Sequence, residues 1–251
     1  MDCLLPAAVV EFKGFAQICS ALKVRLNQPV ETVNEILSRY SADPFDQFSL
    51  WYERQDLKGF ARFVYWLQRW VYDVASKFAP ELHRINDNAF VITTQTGQGP
   101  ESRMVLLKSF DSNGFVFYTN YQSDKGKAIL ENPQVQMLFY EPFPLRQMRI
   151  WGEASPADRQ QSRDYWNTRP KGSQVSQAAS DQSRPRRPGE LEGRINELKK
   201  KNKIECPEHW GGFLIRPRRF EFWEGRANRL HDRVIYEKKQ EGGWNKFMLQ
   251  P

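Results

Sequence analysis

Arg229-Leu230-His231-Asp232-Arg233 sets two guanidiniums and an imidazole at every second position of a short run. In an extended strand side chains alternate, so Arg229, His231 and Arg233 share one face. Such a row is self-repelling and destabilises a sheet unless an anion lies across it. The alternative is a solvated edge strand with an outward polar face. Further donors recur upstream. Arg103-Met104-Val105-Leu106-Leu107-Lys108 carries a cation at each end of an apolar run; five apart, the two point to opposite faces and can serve two neighbouring anions. Gln147 and Arg149 share a strand face. Tyr165 and Arg169 are stacked four apart on a helix, and Pro170-Lys171-Gly172-Ser173 continues as a turn. Hydroxyls beside Arg and Lys are phosphate ligands, combining charge-assisted and neutral donors. Gln182-Ser183 is a weaker candidate of the same kind. Taken singly, each pair also fits an ordinary surface.

The elements that must position these groups follow from composition and rhythm. With 251 residues, 40% hydrophobic content, 17 Phe and 8 Trp, the chain has material for a real core. The net charge of +7 suits anionic partners. Much of it sits between Arg184 and Lys203, which reads as a solvated loop leading into a polar helix. No aromatic residues interleave with those cations, so nucleic acid is not expected. Cys3, Cys19 and Cys206 form no CxxC pair and no metal spacing, which fits a reducing compartment and no disulfide framework. The longest apolar stretch, Phe60 to Tyr72, is interrupted by Arg62, Gln68 and Arg69 and cannot span a bilayer. The apolar patch from Leu4 to Val10 lacks a basic flank, so no targeting peptide is expected and a cytoplasmic location is the default.

Residues 1 to about 42 are mixed in character and expected to be partly ordered. A helix starts at Asp43-Pro44, and a second, from Phe60 to Phe78, repeats Phe60, Phe63/Val64, Leu67 and Val71 at helical spacing, which predicts packing onto a core. From residue 89 the rhythm becomes that of strands: Ala89–Thr94, Arg103–Phe110, Phe115–Asn120, Gln134–Tyr140 and Arg146–Ala154, with a short helix around Lys125–Glu131. Ser155-Pro156 predicts the start of a helix to Thr168, and Glu190 to Lys201 a further one. Trp210–Arg216, Arg219–Glu224, His231–Lys238 and Trp244–Leu249 supply the last strands. The fold class is α+β, mainly antiparallel β, with a helical extension over residues 1–85 and a sheet or barrel domain over 86–251. No glycine-rich phosphate loop precedes a helix.

In this order, Arg103 to Lys108, Phe117-Tyr118-Thr119-Asn120, Lys125-Gly126, Arg146-Gln147, Tyr165, Arg169-Pro170-Lys171, Ser173-Gln174, Gln182-Ser183, Trp210-Gly211-Gly212, Glu221-Phe222-Trp223 and Asn228 to Arg233 resemble the pyridoxine (pyridoxamine) 5'-phosphate oxidase family. The resemblance covers about residues 86 to 251. It implies an FMN-binding split barrel with flanking helices, a homodimer holding the flavin between subunits, and phosphorylated B6 vitamers as small-molecule partners. Arg103, Met104, Val105, Leu106, Tyr118, Thr119, Lys125, Gln147, Gln182, Ser183, Trp223 and Arg233 match the family's flavin-binding positions. Lys108, Tyr165, Arg169 and Ser173 match those gripping the substrate phosphate. Arg229 and His231 match the pair beside the pyridine ring, where catalysis is implied. No metal is implied.

The reaction the resemblance implies is oxidation at the substrate's C4' carbon, giving pyridoxal 5'-phosphate and, through reoxidation of FMN by oxygen, hydrogen peroxide. Several positions depart from the family. Asp124 stands where arginine is usual beside Lys125, which places a negative charge by the expected flavin phosphate. Glu141 to Leu145, Trp151 and Met248 also differ, and the segment 60–78 looks like an insertion. A diverged pyridoxal 5'-phosphate-binding carrier or regulatory protein, with weak flavin chemistry, is the alternative these departures leave open.

Overall fold

The computed structural model describes residues 31–78, 88–142 and 144–251. Period-two alternation builds its barrel. In β1 (Ala89–Thr96), Phe90, Ile92 and Thr94 are buried between less buried neighbours. In β4 (Gln134–Pro142) the same holds for Val135, Met137 and Phe139, and in β5 (Leu145–Pro156) for Met148, Ile150, Gly152 and Ala154. Together with β2 (Gly99–Asp111), β3 (Gly114–Asn120) and β6 (Trp210–Glu224), they run in the order β3-β2-β1-β4-β5-β6, and β6 returns to pair with β3. Every pairing is antiparallel, so a six-stranded ring closes without a free edge. β7 (Asp232–Lys238) and β8 (Trp244–Met248) extend from the far end of β6 as a hairpin.

The single long β6 replaces the two strands expected around Pro217. The ladder passes from Trp151–Arg219 to Gly152–Pro217, leaving Arg218 as the extra residue of a bulge. A Cβ on Gly152 would lie 2.5 Å from the Arg216 carbonyl oxygen, so glycine is required there.

Seven helices surround the ring: α1 (Val33–Ser38), α2 (Pro44–Tyr52), α3 (Gly59–Phe78), α4 (Asp124–Glu131), α5 (Arg159–Thr168), α6 (Lys171–Ala179) and α7 (Glu190–Lys199), counting the described residues. α2 begins as Asp43-Pro44 predicts, with the Asp43 carboxylate accepting from Phe45 N–H at 2.7 Å. Its Phe48 is fully buried and meets Phe110, Phe115 and Phe139 edge-on at 4.9–5.2 Å. α1 is tied down at its end by Lys246, which donates to the Leu37 and Tyr40 carbonyls at 2.9 Å each.

Three expectations fail here for physical reasons. α3 is helical as predicted, yet Phe63, Leu67 and Val71 are 40–54% exposed, because α2 already fills the core that would receive them. The helix expected from Ser155-Pro156 starts later, behind the Asp158 cap, because residues 154–156 remain in the ladder with β6. Pro170 to Ser173, read as a turn, is the cap and first turn of helix α6 (Lys171–Ala179). Of residues 1 to about 42, expected to be partly ordered, 1–30 lie outside the described residues, and 33–38 form helix α1. Among the described residues no helix is long and apolar enough to cross a membrane.

Candidate active site

Where β2 and β3 meet α4, α5 and α6, a cavity of about 500 Å³ gathers most of the residues singled out in the sequence. Its walls carry Met104, Val105, Leu106, Lys108, Tyr118, Thr119, Lys125, Tyr165, Arg169, Ser173 and Gln182. Among the described residues they include three cations and no carboxylate.

Each cation is placed by local chemistry. Lys108 is the extra residue of a bulge between Leu107 and Ser109, which interrupts the alternation that had set it opposite Arg103. Lys125 rides on the first turn of α4, whose cap Ser123 accepts from Gly126 N–H and from Lys125 Nζ, both at 3.3 Å. Lys125 is buried and makes no ion pair with a carboxylate among the described residues. Burial, with Arg103 also nearby, lowers its ammonium to about 8; the Asp124 charge works the other way. Arg103 itself is held by the Thr94 hydroxyl at 2.7 Å and Glu101 at 2.6 Å. Arg169 ends α5 with its guanidinium over the rings of Trp210 at 4.9 Å and Trp166 at 5.3 Å. Its Nη1 is buried without a hydrogen-bond partner among the described residues, and burial lowers its pKa. A buried donor left unpaired costs about 1–3 kcal/mol, so the cavity is built for an anion.

Aromatic packing holds this wall in shape. Tyr118 stacks on Tyr165 at 4.2 Å and on Trp210 at 5.3 Å. Burial, with Tyr165 close by, pushes the Tyr118 phenol up, which keeps it a neutral donor. Trp166, Val175, Ile204 and Trp210 form a second apolar cluster beneath α5 and α6. Arg159 ties the start of α5 to the carbonyls of Trp210, Pro207 and Cys206 at 2.6–3.1 Å.

Ser183, with a left-handed φ of 68°, accepts from Asp124 N–H at 3.3 Å, which brings the 182–183 turn against α4. Asp124 is exposed on the first turn of α4, where a helix start favours negative charge, and is not a wall residue. Thr168, Pro170, Gln177 and Trp210 also line the cavity; Pro170 and Trp210 stood in the matched motifs, but none of the four was read as a site residue. Gln177 lies four residues after Ser173, a spacing legible only once the segment is known to be helical.

The remaining predicted residues lie elsewhere. Gln147, Trp223 and Arg233 form one cross-strand row over β5, β6 and β7, away from the cavity walls. His231 packs on Trp223 with ring centroids 4.5 Å apart. The expected single row of Arg229, His231 and Arg233 does not form: β7 begins at Asp232, and Arg229 sits in a tight turn with φ 62°. An anion does lie beside Arg233, the buried Glu221, at 2.9 Å, and Glu221 also takes Arg149 at 3.2 Å. Among the described residues no His, Cys, Asp and Glu group forms a metal site.

Two outcomes follow from the Lys125 geometry. Ser123→Ala is expected to cost about 1 kcal/mol by removing the cap, measured by urea unfolding. Because the folded-state value of Lys125 is depressed, the unfolded chain holds the extra proton above about pH 8, so the ligand-free protein gains stability from there towards the ordinary lysine range. A bound dianion reverses that preference. Phosphate affinity by calorimetry is therefore expected to weaken above about pH 8, approaching tenfold per unit.

The chain matches two family models, one described as pyridoxamine 5'-phosphate oxidase over residues 78–200, the other as the pyridoxine 5'-phosphate oxidase C-terminal dimerisation region over residues 210–251. A pyridoxine/pyridoxamine 5'-phosphate oxidase from Rubrobacter xylanophilus is 46% identical over 169 residues, 65% of this chain and 77% of the relative. One from Bordetella petrii is 36% identical over 229 residues, 90% of this chain and 98% of the relative. The structure of PhzG from Burkholderia lata, in complex with tetrahydrophenazine-1-carboxylic acid, matches at 28% identity and a TM-score of 0.62, over 75% of this chain and 92% of that one. A pyridoxamine 5'-phosphate oxidase-related, FMN-binding protein from Nostoc punctiforme shares the fold, with a TM-score of 0.58 at 17% identity over 72% and 97% of the two chains.

Proposed function

The chain belongs to the pyridoxamine 5'-phosphate oxidase family, and from that premise we propose that it oxidises pyridoxine 5'-phosphate or pyridoxamine 5'-phosphate to pyridoxal 5'-phosphate with FMN. The observation that carries this reading is the wall of cations without a carboxylate, one of them with an orphaned buried donor. The residues fit two phosphates. Lys125, backed by Arg103 and flanked by Thr119 and the 182–183 turn, would hold that of FMN. Lys108, Tyr165, Arg169 and Ser173 would grip that of the substrate, with Arg and Tyr supplying charge-assisted and neutral donors.

Gln147, Trp223, Arg229, His231 and Arg233 would close the cavity of a second copy of the chain, so that each site is shared in a homodimer. The match of residues 210–251 to a dimerisation region supports this, since β6 to β8 carry most of that set. Bound FMN would supply the redox chemistry, taking up a hydride from the substrate carbon and returning to its oxidised form with oxygen to give hydrogen peroxide. Arg229 would pin the substrate ring in register, a proximity effect, and His231 would orient it from the Trp223 side.

The test is incubation of the purified protein with each phosphate, with and without added FMN. Pyridoxal 5'-phosphate and peroxide are expected together. A protein that binds pyridoxal 5'-phosphate yet forms no peroxide would be a carrier instead, and turnover confined to unphosphorylated pyridoxine would overturn the phosphate assignment.

A further inference from the structure

Behind the ring-side residues lies a hub of charge centred on Arg226. Its guanidinium meets Asp232 Oδ2 from Nε at 2.8 Å and from Nη2 at 2.7 Å, and Glu224 Oε2 at 3.0 Å. Glu224 also accepts from Arg146 at 3.1 Å, while Arg146 pairs with Asp56 at 2.6 Å and lies over the Trp51 ring at 4.3 Å. Arg39, just past α1, comes within 3.7 Å of Asp232. Arg226 thus bridges one carboxylate of β6 and one of β7, and Arg146 of β5 and Arg39 reach the same two carboxylates.

The backbone of the same residue sets the imidazole. Arg226 N–H donates to His231 Nδ1 at 3.1 Å, so Nδ1 is unprotonated and the neutral ring carries its proton on Nε2. Between these anchors the chain passes through Asn228 and Arg229, both left-handed, with φ of 56° and 62°. Asn tolerates that conformation, but for a side chain such as that of Arg229 it costs about 1–2 kcal/mol and persists only where the surroundings over-determine it.

We propose that Arg226 is the positioning residue of the site: by bridging Glu224 and Asp232 it closes the 225–231 turn, holds Arg229 in its left-handed conformation, and fixes His231 as an Nε2–H donor. This rests on the assignment of Arg229 and His231 to the substrate ring. The hub also gives the N-terminal segment a role, since Arg39 pairs with Asp232 and Asp56 steadies Arg146, the second partner of Glu224.

The test uses Arg226→Met and Arg226→Lys in the FMN-loaded protein. Methionine keeps an unbranched apolar stem and removes the bridge; lysine restores the charge without the two-sided fork. For Arg226→Met, kcat is expected to fall about a hundredfold, the scale of a misplaced reacting group, with KM and FMN content within about twofold of wild type. Arg226→Lys should lie between, about tenfold down. Nitrogen NMR of the ring provides a readout independent of activity, because the chain has only 3 histidines. His231 should pass from a single tautomer in the wild type to a tautomer mixture in Arg226→Met. Wild-type kcat with an unchanged tautomer in Arg226→Met would overturn the proposal and leave the oxidase reading intact. An inactive FMN-loaded wild type would defeat that reading instead, and the tautomer signal alone would then decide. If Arg226→Met does not fold, Arg226→Lys decides: lowered kcat at normal FMN content supports the proposal, and unchanged kcat overturns it.

Discussion

Arg169→Met is expected to raise KM for the phosphorylated substrate by about a hundredfold, with kcat and FMN content nearly unchanged. Arg169 Nη1 is buried and unpartnered in the ligand-free protein, and its guanidinium is fixed over Trp166 and Trp210. A phosphate arriving there gains a two-pronged, charge-assisted grip. Losing it removes about 3 kcal/mol of binding, and each 1.4 kcal/mol is about a factor of ten. The grip is equal in ground and transition states, so the loss appears in KM and not in kcat. Methionine keeps the apolar contact with the two tryptophans and removes the orphaned donor. The ligand-free variant should therefore melt no lower than the wild type, a trade of binding against stability typical of functional sites. Steady-state kinetics with calorimetric melting checks both. An unchanged KM would remove Arg169 from the substrate grip.

Gly126→Ala is expected to have the other large effect. A Cβ there would stand 2.4 Å from the Tyr121 carbonyl oxygen and 2.5 Å from that of Asn120. Both obstacles are backbone at the end of β3, so neither can swing aside. The first turn of α4 must move, at a cost of about 3 kcal/mol, and Lys125 moves with it. FMN affinity should fall about a hundredfold or more, since a buried charge-assisted contact and the Ser123 cap are lost together. Gly172 is the control, because nothing lies within 4 Å of its Cβ position. Gly172→Ala on α6 should be neutral or slightly stabilising. Urea unfolding and flavin titration distinguish the two variants.

The barrel was legible because its strands obey a period of two, as in Val135, Met137 and Phe139 of β4. Legibility failed where tertiary pairing overrode a local signal. Ser155-Pro156 has the chemistry of a helix start, but the ladder to β6 holds those residues extended. Lys171–Ala179 was missed because its first turn is polar and holds Gly172, while its helix is secured from outside by Val175 in the cluster with Trp166. In the site, donor types and spacings pointed to Lys108, Tyr165 and Arg169, and the structure gathers them in one cavity. Trp210 stood in a matched motif but was not read as a wall residue, because its contribution, a platform for Tyr118 and Arg169, depends on contacts distant in sequence. The conformation of Arg229 was not legible either, since Asn tolerates the left-handed region by itself but nothing in the local sequence asks Arg229 to follow Asn228 into it.

The separation of the cavity from the Gln147, Trp223 and Arg233 row makes a site shared between two copies the central claim, and subunit complementation tests it most directly. Arg169→Met and Arg229→Ala disable opposite halves, so each alone should form little pyridoxal 5'-phosphate at substrate levels below KM. Co-expressed, the two chains pair at random, about half of the dimers are mixed, and each mixed dimer holds one intact site of two. Recovery to about a quarter of wild-type activity is then expected. No recovery above the sum of the two single variants would mean that both sets of residues act within one chain, and would contradict the shared site.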